Sequence, residues 1–172
     1  ATAPATAEAT SSAGAAVSYD AATATDIADD SVAITHSAAS GSTFAIGTTQ
    51  VTATAIDDAG NTSTCTFDVT VADTTSPAIT CAAAPGAAEA TSSAGAAVSY
   101  DAATATDNGD DSVDITYSAA SGSTFAIGTT TVTATATDDN GNVSTCSFDV
   151  VVTDNTVPAL TCPVAPVSVE AT

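Results

Sequence analysis

Short runs in which apolar and polar residues alternate recur along the whole chain. In the run 146–152, Cys, Phe, Val and Val take every second position, and Ser, Asp and Val take the positions between them. A threonine-rich run upstream places Val132, Ala134 and Ala136 on one face in the same way. Alternation with a period of two is typical of a β-strand that buries one face. The pattern therefore predicts short strands and no helical segment.

Turn-forming dipeptides separate these runs, most clearly Asn-Gly at 108–109, Ser-Gly at 121–122 and Asn-Gly at 140–141. Gly and Asn supply the positive φ that tight turns need. Large helix-favouring residues are scarce, whereas Thr and Val fit a pleated sheet. Regularly spaced short strands of this kind predict an all-β sandwich.

The sequence repeats itself with a period of 81 residues. The run SSAGAAVSYDAATATD begins at Ser11 and again at Ser92, and 64 of 81 aligned positions are identical. Such a period is longer than a solenoid unit and fits one small sandwich domain. We therefore expect tandem domains arranged like beads on a string.

The period also sets the expected domain bounds. We expect a first repeat at 1–72 that lacks its first few residues, a complete repeat at 78–153, and the first strand of a following repeat at 159–172. The expected linkers are 73–77 and 154–158. Each linker ends in a proline, which restricts the preceding residue to extended geometry and stiffens the connection.

The chain is strongly acidic. Its 172 residues include 20 acidic side chains and one histidine but no Lys or Arg, so the formal net charge is −20. Proteins bind nucleic acids and anionic membrane surfaces largely through Lys and Arg side chains. This chain has neither residue, so neither kind of partner is expected. No run of about 18 apolar residues crosses the chain, so we expect no membrane insertion, and any export signal or anchor would lie outside this sequence.

The four cysteines form two pairs related by the 81-residue period: Cys65 and Cys146, and Cys81 and Cys162. Alternation places both Cys81 and Cys146 on core-facing positions, which favours a disulfide between the first and last strands of one domain. The alternative, Cys65 with Cys81, has to span a linker and stays open at this point. A disulfide implies an oxidising compartment, so we expect an extracellular or cell-surface location.

A Cys81–Cys146 bond leaves Cys65 and Cys162 without partners in this sequence. Their partners are then expected outside the sequence or in a neighbouring chain. The functional object is expected to be a longer polypeptide or a polymer in which the tail of one subunit completes the first domain of the next. Further copies of the same repeat are therefore the expected partners.

Three segments of the second repeat resemble the hyalin repeat (HYR) module: TATDNG at 104–109, SGSTFAIGTTTV at 121–132 and TDDNGNVSTCSF at 137–148. The resemblance covers both repeats. It implies an immunoglobulin-like fold in extracellular, adhesive or matrix-like proteins, usually in tandem. The chain departs from many members of the family because Ala96-Ala97 and Asn108-Gly109 stand about where two inner cysteines would fall.

Calcium is the only candidate cofactor. Clustered carboxylates are the hard oxygen ligands that calcium prefers, and the candidate ligands are Asp107, Asp110, Asp111, Asp138, Asp139 and Asp154. Aspartate also occurs in turns for backbone hydrogen bonding alone, and no EF-hand spacing is present. Asn61 and Asn142 begin glycosylation sequons at the same turn of each repeat.

An enzymatic role is not expected. The one histidine, His36, is equivalent to Tyr117 in the second repeat, so the position accepts a tyrosine as well. We therefore expect His36 to pack against its neighbours rather than to belong to a catalytic triad. The sequence instead predicts a structural module of an extracellular stalk, fibre or filament, with an adhesive role implied by the resemblance. The alternative is an adhesin domain that recognises a receptor or glycan through its loops, although these loops lack aromatic and Arg anchors.

Overall fold

The computed structural model describes residues 3–28 and 31–164. These residues form two similar β-rich units, one for each repeat, so the prediction of an all-β chain of tandem domains is confirmed. The first unit contains strands β1 (Ala7–Glu8), β2 (Ala15–Ala16), β3 (Ala33–His36), β4 (Thr43–Phe44), β5 (Gly47–Ile56) and β6 (Thr62–Ala72). The second contains β7 (Ala78–Thr80), β8 (Ala88–Glu89), β9 (Ala96–Ala97), β10 (Thr104–Thr106), β11 (Asp114–Tyr117), β12 (Thr124–Phe125), β13 (Gly128–Thr137) and β14 (Val143–Thr153).

A long hairpin is the frame of each repeat. In the second repeat, β13 pairs with β14 over ten residues, from Gly128 opposite Val152 to Thr137 opposite Val143. An antiparallel strand, β11, extends one edge of this hairpin, and the two-residue strand β8 extends the other edge in parallel. The first repeat has the same order, with β1, β6, β5 and β3 side by side.

A second, smaller layer covers one face of each hairpin. It contains the antiparallel pairs β2–β4 and β9–β12. A glycine permits the close approach at this layer: Gly95 has a φ of 108°, and a Cβ there would lie 1.8 Å from the carbonyl oxygen of Phe125. Any residue with a side chain would be strained at this φ and would also clash with the backbone, so only glycine fits here.

The core lies between the two layers and contains small apolar side chains. Val132, Val150 and Val152 are completely or almost completely buried, and Phe125 and Phe148 fill the space between them. Ala134 and Ala136 are fully buried on the same face as Val132, so the predicted alternation in β13 and β14 is confirmed. A core of this kind is thin, and each buried valine contributes only about 1.5–3 kcal/mol.

Two aromatic side chains close the edge of each core. In the second repeat, the Tyr100 hydroxyl donates a hydrogen bond to the carbonyl of Ala119, and its ring lies edge-on to Phe148 with a centroid separation of 4.9 Å. Tyr117 packs against Tyr100 at 5.5 Å. His36 takes the equivalent place beside Tyr19 in the first repeat, also at 5.5 Å, which agrees with the packing role expected for it.

One disulfide joins the residue after β7 to β14 in the second repeat. Cys81 directly follows β7, Cys146 lies in β14, and the bond between them closes a sequence separation of 65 residues. The alternative Cys65–Cys81 pairing is not formed. Cys65 and Cys162 are free and exposed.

The first strand of the domain distinguishes the two repeats. In the second repeat, β7 pairs antiparallel with β10, with Ile79 opposite Ala105. The equivalent of β10 in the first repeat is the segment 23–25, which has the same sequence but pairs with no strand among the described residues. Of the strand expected at 159–172, residues 159–164 take no regular structure and residues 165–172 lie outside the described part of the chain.

We predict that reduction of the disulfide destabilises the second repeat and leaves the first repeat unchanged. Opening a loop of this length lowers the free energy of unfolding by about 4 kcal/mol on the chain-entropy account. Hydrogen exchange followed by mass spectrometry, with and without dithiothreitol, resolves the two repeats through the positions at which their sequences differ. Equal loss of protection in both repeats would contradict this prediction.

Candidate cation site at the junction of the repeats

The linker 73–77 connects β6 to β7 and is bonded to the first repeat through one carboxylate. The Glu8 side chain accepts hydrogen bonds from the Thr74 backbone N–H at 2.7 Å, from the Thr74 hydroxyl at 2.8 Å and from the Thr75 hydroxyl at 2.8 Å. The Thr74 backbone bond is the main reason that the pKa of Glu8 lies below its ordinary value. Glu89 holds the linker 154–158 in the same manner.

The same linker is also bonded to the second repeat. The Asn142 side chain donates to the Asp73 carbonyl at 3.1 Å, and the Ser144 hydroxyl donates to the Pro77 carbonyl at 2.5 Å. The Asn140 side chain donates to the Asp73 carboxylate at 3.1 Å. The connection is therefore fixed at both of its ends.

Three carboxylates meet where the linker enters the second repeat. Asp73 directly follows β6, Asp107 directly follows β10 and Asp138 directly follows β13, so the ends of three strands bring them together. One oxygen from each lies within 4.8 Å of the others. We call Asp73, Asp107 and Asp138 the junction triad. Among the described residues, it is the only such group of three or more His, Cys, Asp or Glu side chains.

The junction triad is unusually buried for a set of like charges. Asp73 is 7% exposed and Asp138 is 5% exposed. Burial, followed by the negative charges of Asp107 and Asp138, raises the pKa of Asp73 above its ordinary value. Burial also acts to raise the pKa of Asp138, but its hydrogen bonds from the Asn142 side chain and backbone hold that pKa below the ordinary value.

The chain offers no positive side chain to compensate these charges, because it has no Lys or Arg. Buried charges in proteins are normally paired or bound to a metal. Two oxygens on one calcium ion, each at about 2.4 Å, lie at most about 4.8 Å apart, and the three oxygens of the junction triad lie within that distance of one another. The three carboxylates could therefore contact one hard divalent cation together.

The predicted calcium ligands divide into two groups. Asp107 and Asp138 belong to the junction triad. Asp110, Asp111, Asp139 and Asp154 do not belong to it. Asp110 accepts from the Asp139 backbone N–H at 2.6 Å, Asp111 accepts from the Ser12 hydroxyl of the first repeat at 2.6 Å, and Asp139 and Asp154 are exposed. These bonds match the alternative explanation of turn and surface hydrogen bonding.

Asp73 is not among the ligands predicted from the sequence. The 81-residue period contained the signal, because Asp73 is the equivalent of Asp154 one repeat earlier. Asp73 lies in the linker 73–77, and this linker places it against the second repeat.

The two sequons differ in their surroundings. The Asn142 side-chain amide donates to both the Asp138 carboxylate and the Asp73 carbonyl, so both of its hydrogens are engaged. Asn61 is exposed, and its amide donates to Asp57 alone among the described contacts. Glycosylation of either remains a prediction, and the geometry favours Asn61.

Gly109 lets the linker come this close. A Cβ at Gly109 would lie 2.1 Å from an Asp73 carboxylate oxygen. The first repeat has Ala28 at this position, and it has Ala59 where the second repeat has Asn140. Two of the differences between the repeats therefore lie at contacts with Asp73.

We predict that Gly109→Ala destabilises the second repeat by about 1–3 kcal/mol, because the added methyl group overlaps a buried carboxylate. Gly86→Ala is the matched control, since a Cβ there meets nothing within 4 Å. Denaturant unfolding of both variants measures the difference. Equal effects of the two substitutions would mean that the linker does not pack against Gly109.

Comparison with known proteins identifies both repeats. The HYR domain matches residues 5–71 and 72–152. The chain is 35% identical over 146 residues to hyalin of Strongylocentrotus purpuratus and 35% identical over 150 residues to hyalin of Lytechinus variegatus, in each case over 82% of this chain. It is 36% identical over 109 residues, 63% of this chain, to the sushi, von Willebrand factor type A, EGF and pentraxin domain-containing protein 1 of Rattus norvegicus.

These relatives are much longer, and the chain spans 12%, 28% and 3% of their respective lengths. The HYR domain is a non-catalytic repeat module. The described residues contain no helix long and apolar enough to cross a membrane. The resemblance drawn from the three sequence segments is confirmed, and the chain belongs to the HYR domain family as two tandem copies of that domain.

Proposed function

We propose that this chain is a structural spacer of an extracellular stalk, fibre or filament, in which successive HYR domains are held at a fixed joint. The observation that supports it best is the linker 73–77, which is hydrogen-bonded backward to Glu8 and forward to Asn142 and Ser144. A flexible tether between independent binding domains would need none of these bonds. A spacer needs them at each joint.

The repetition supports the same proposal. A spacer uses one shape many times, whereas a binding site is needed once, and the two repeats share 64 of 81 positions. The disulfide supports an extracellular or cell-surface location because such bonds persist in oxidising compartments. The absence of Lys and Arg removes every trypsin cleavage site, which suits an exposed fibre.

The alternative of a ligand-binding adhesin receives less support. Binding hot spots are enriched in Trp, Tyr and Arg, and the chain has no Trp and no Arg. Its three tyrosines are Tyr19, Tyr100 and Tyr117, and all three are partly buried beside the cores. Adhesion by domain loops therefore has no evident anchor residues in the described part of the chain.

We predict that replacing both Asn140 and Asn142 with Ala loosens the joint, because three side-chain bonds to Asp73 and Asp138 are lost. Small-angle X-ray scattering of the whole chain should then show a broader distribution of maximum dimensions. Asn61→Ala is the control, since Asn61 makes the equivalent bond to Asp57 away from the joint. If the wild-type scattering already requires a broad ensemble of inter-repeat angles, the proposed spacer function is wrong.

We propose calcium as the cation of the junction triad, in a role that stiffens the joint. The proposed ligands are the carboxylates of Asp73, Asp107 and Asp138. This set is smaller than the set of aspartates expected from the sequence, and it adds Asp73. The supporting observation is that two of the three carboxylates are buried in a chain without Lys or Arg. Calcium would offset two of the three negative charges and join the linker to two loops of the second repeat.

Millimolar calcium is expected to raise the Tm of the second repeat by several degrees, since extracellular calcium modules bind with a Kd of about 0.1–1 mM and contribute about 1–2 kcal/mol at these concentrations. Asp73→Asn should abolish the shift, whereas Asp154→Asn, the same position in the exposed linker, should leave it intact. In chelator, Asp73→Asn should raise the Tm, because the wild-type carboxyl has a pKa above its ordinary value and its charged form opposes folding. Equal calcium responses in both variants would exclude the site.

A further inference from the structure

We propose that Asn140 is a site of spontaneous deamidation, and that its conversion to aspartate or isoaspartate loosens the joint between the two repeats. The loosening rests on the proposed spacer function, whereas the modification itself rests on the turn that contains Asn140. Both concern the internal junction of the chain, where the linker 73–77 contacts the second repeat.

The dipeptide Asn-Gly favours this reaction. Asparagine is one of the chemically labile residues of proteins. A following glycine has no Cβ, so its backbone nitrogen meets the least steric hindrance when it attacks the asparagine side chain. The sequence contains Asn-Gly at 108–109 and at 140–141, whereas the equivalent positions of the first repeat hold Ile-Ala and Ala-Gly. Both dipeptides therefore lie in the second repeat, on the side that contacts the linker.

The reaction needs water and no other reagent. The Gly141 backbone nitrogen gives up its proton to a base and attacks Cγ of Asn140. The new C–N bond closes a five-membered succinimide, and the C–N bond of the side-chain amide breaks and releases ammonia. Water then adds to one of the two ring carbonyls. Cleavage of the Cγ–N bond gives aspartate, and cleavage of the other carbonyl–nitrogen bond gives isoaspartate. One water is consumed, one ammonia is released, and no atom is oxidised or reduced.

The turn at 138–141 leaves the attacking nitrogen accessible. Asn140 and Gly141 are both exposed. The Gly141 N–H donates to the carbonyl of Asp138 at 3.2 Å, which is the upper end of the usual range for such a bond. A base from solvent can therefore reach this N–H and remove its proton.

The other dipeptide is protected. Gly109 is buried, and its N–H donates to the Asp107 carboxylate at 2.7 Å. Hydrogen bonds to an ionised acceptor are stronger than neutral ones, and loss of this proton would leave two negative charges in contact. We therefore expect Asn140 to react ahead of Asn108, although the two dipeptides are identical.

Deamidation removes the group that holds the linker. The side-chain NH2 of Asn140 donates to the Asp73 carboxylate at 3.1 Å, and this NH2 is the one that leaves as ammonia. The aspartate product places a second carboxylate against Asp73, which is 7% exposed, in a chain without Lys or Arg. Like charges at this distance repel one another most strongly where water is excluded. Isoaspartate also lengthens the backbone of a tight turn by one methylene group.

The rates at the two dipeptides test the site. The whole chain is kept at mildly alkaline pH, sampled over weeks, reduced and cleaved with chymotrypsin after Tyr and Phe. This cleavage places Asn108 on the peptide 101–117 and Asn140 on the peptide 126–148. Tandem mass spectrometry then measures the replacement of NH2 by OH at each asparagine.

In the folded chain, Asn140 should react at least fivefold faster than Asn108. In urea, where both dipeptides are unfolded, the two rates should become equal, because the protection of Gly109 is lost. Equal rates in the folded chain, or faster reaction at Asn108, would overturn the proposal.

The effect on the joint is measured with Asn140→Asp, which supplies the aspartate product at once. In chelator, small-angle scattering of this variant should show a broader distribution of maximum dimensions than wild type, and the Tm of the second repeat should fall by several degrees. Ala59→Asp is the matched control, since it adds the same carboxylate at the equivalent turn of the first repeat, away from Asp73. Wild-type protein aged until most of Asn140 has reacted gives the same measurements for the natural products.

The outcomes distinguish this proposal from the spacer function. A rigid wild-type joint that stays equally rigid in Asn140→Asp and in aged protein would overturn the proposed loosening and leave the spacer function in place. A wild-type joint that is already flexible would refute the spacer function, while faster reaction of Asn140 than of Asn108 would still support the modification site.

Discussion

Every carboxylate with a structural role in this protein has to be held by neutral donors, because the chain has no Lys or Arg. Glu8 and Glu89 are bonded to backbone amides, hydroxyls and, for Glu89, the amide of Asn155. Asp57 and Asp138 each accept the backbone and side-chain amides of an asparagine four residues later. Backbone amides, hydroxyls and asparagine side chains in the turns and linkers thus supply the partners that Lys and Arg supply in other proteins. In the described part of the chain, the junction triad is the one place where three carboxylates meet, and no Lys or Arg is available to pair with them.

Much of this fold could be predicted because its determinants are local or repeated. Alternation in β13 and β14 identified the buried face of the hairpin, and parity along those strands favoured Cys81 and Cys146 as neighbours. The junction triad was harder because its members are separated by 34 and 31 residues of sequence, and local clustering favoured Asp110, Asp111 and Asp139 instead. Proximity in sequence is a poor guide to which carboxylates meet in space when strand ends, rather than one loop, bring them together.

The two repeats show how much one short strand contributes to a thin sandwich. Their hairpins have the same register, and their buried valines and phenylalanines coincide. One difference is the surface under β7, where Ala103 is buried and its counterpart Ala22 is partly exposed. Local sequence at 23–25 is identical to that at 104–106, so strand formation there is decided by the presence of a pairing partner and not by propensity.

Gly109 and Asn140 allow the preceding linker to pack closely against the second repeat. The first repeat has Ala28 and Ala59 at these positions. The two repeats share the same buried valines and phenylalanines, so a change at these two positions alters how closely the preceding linker packs and leaves the core as it is. The tightness of the joint between two repeats can therefore evolve without any change to the packed interior of the domains.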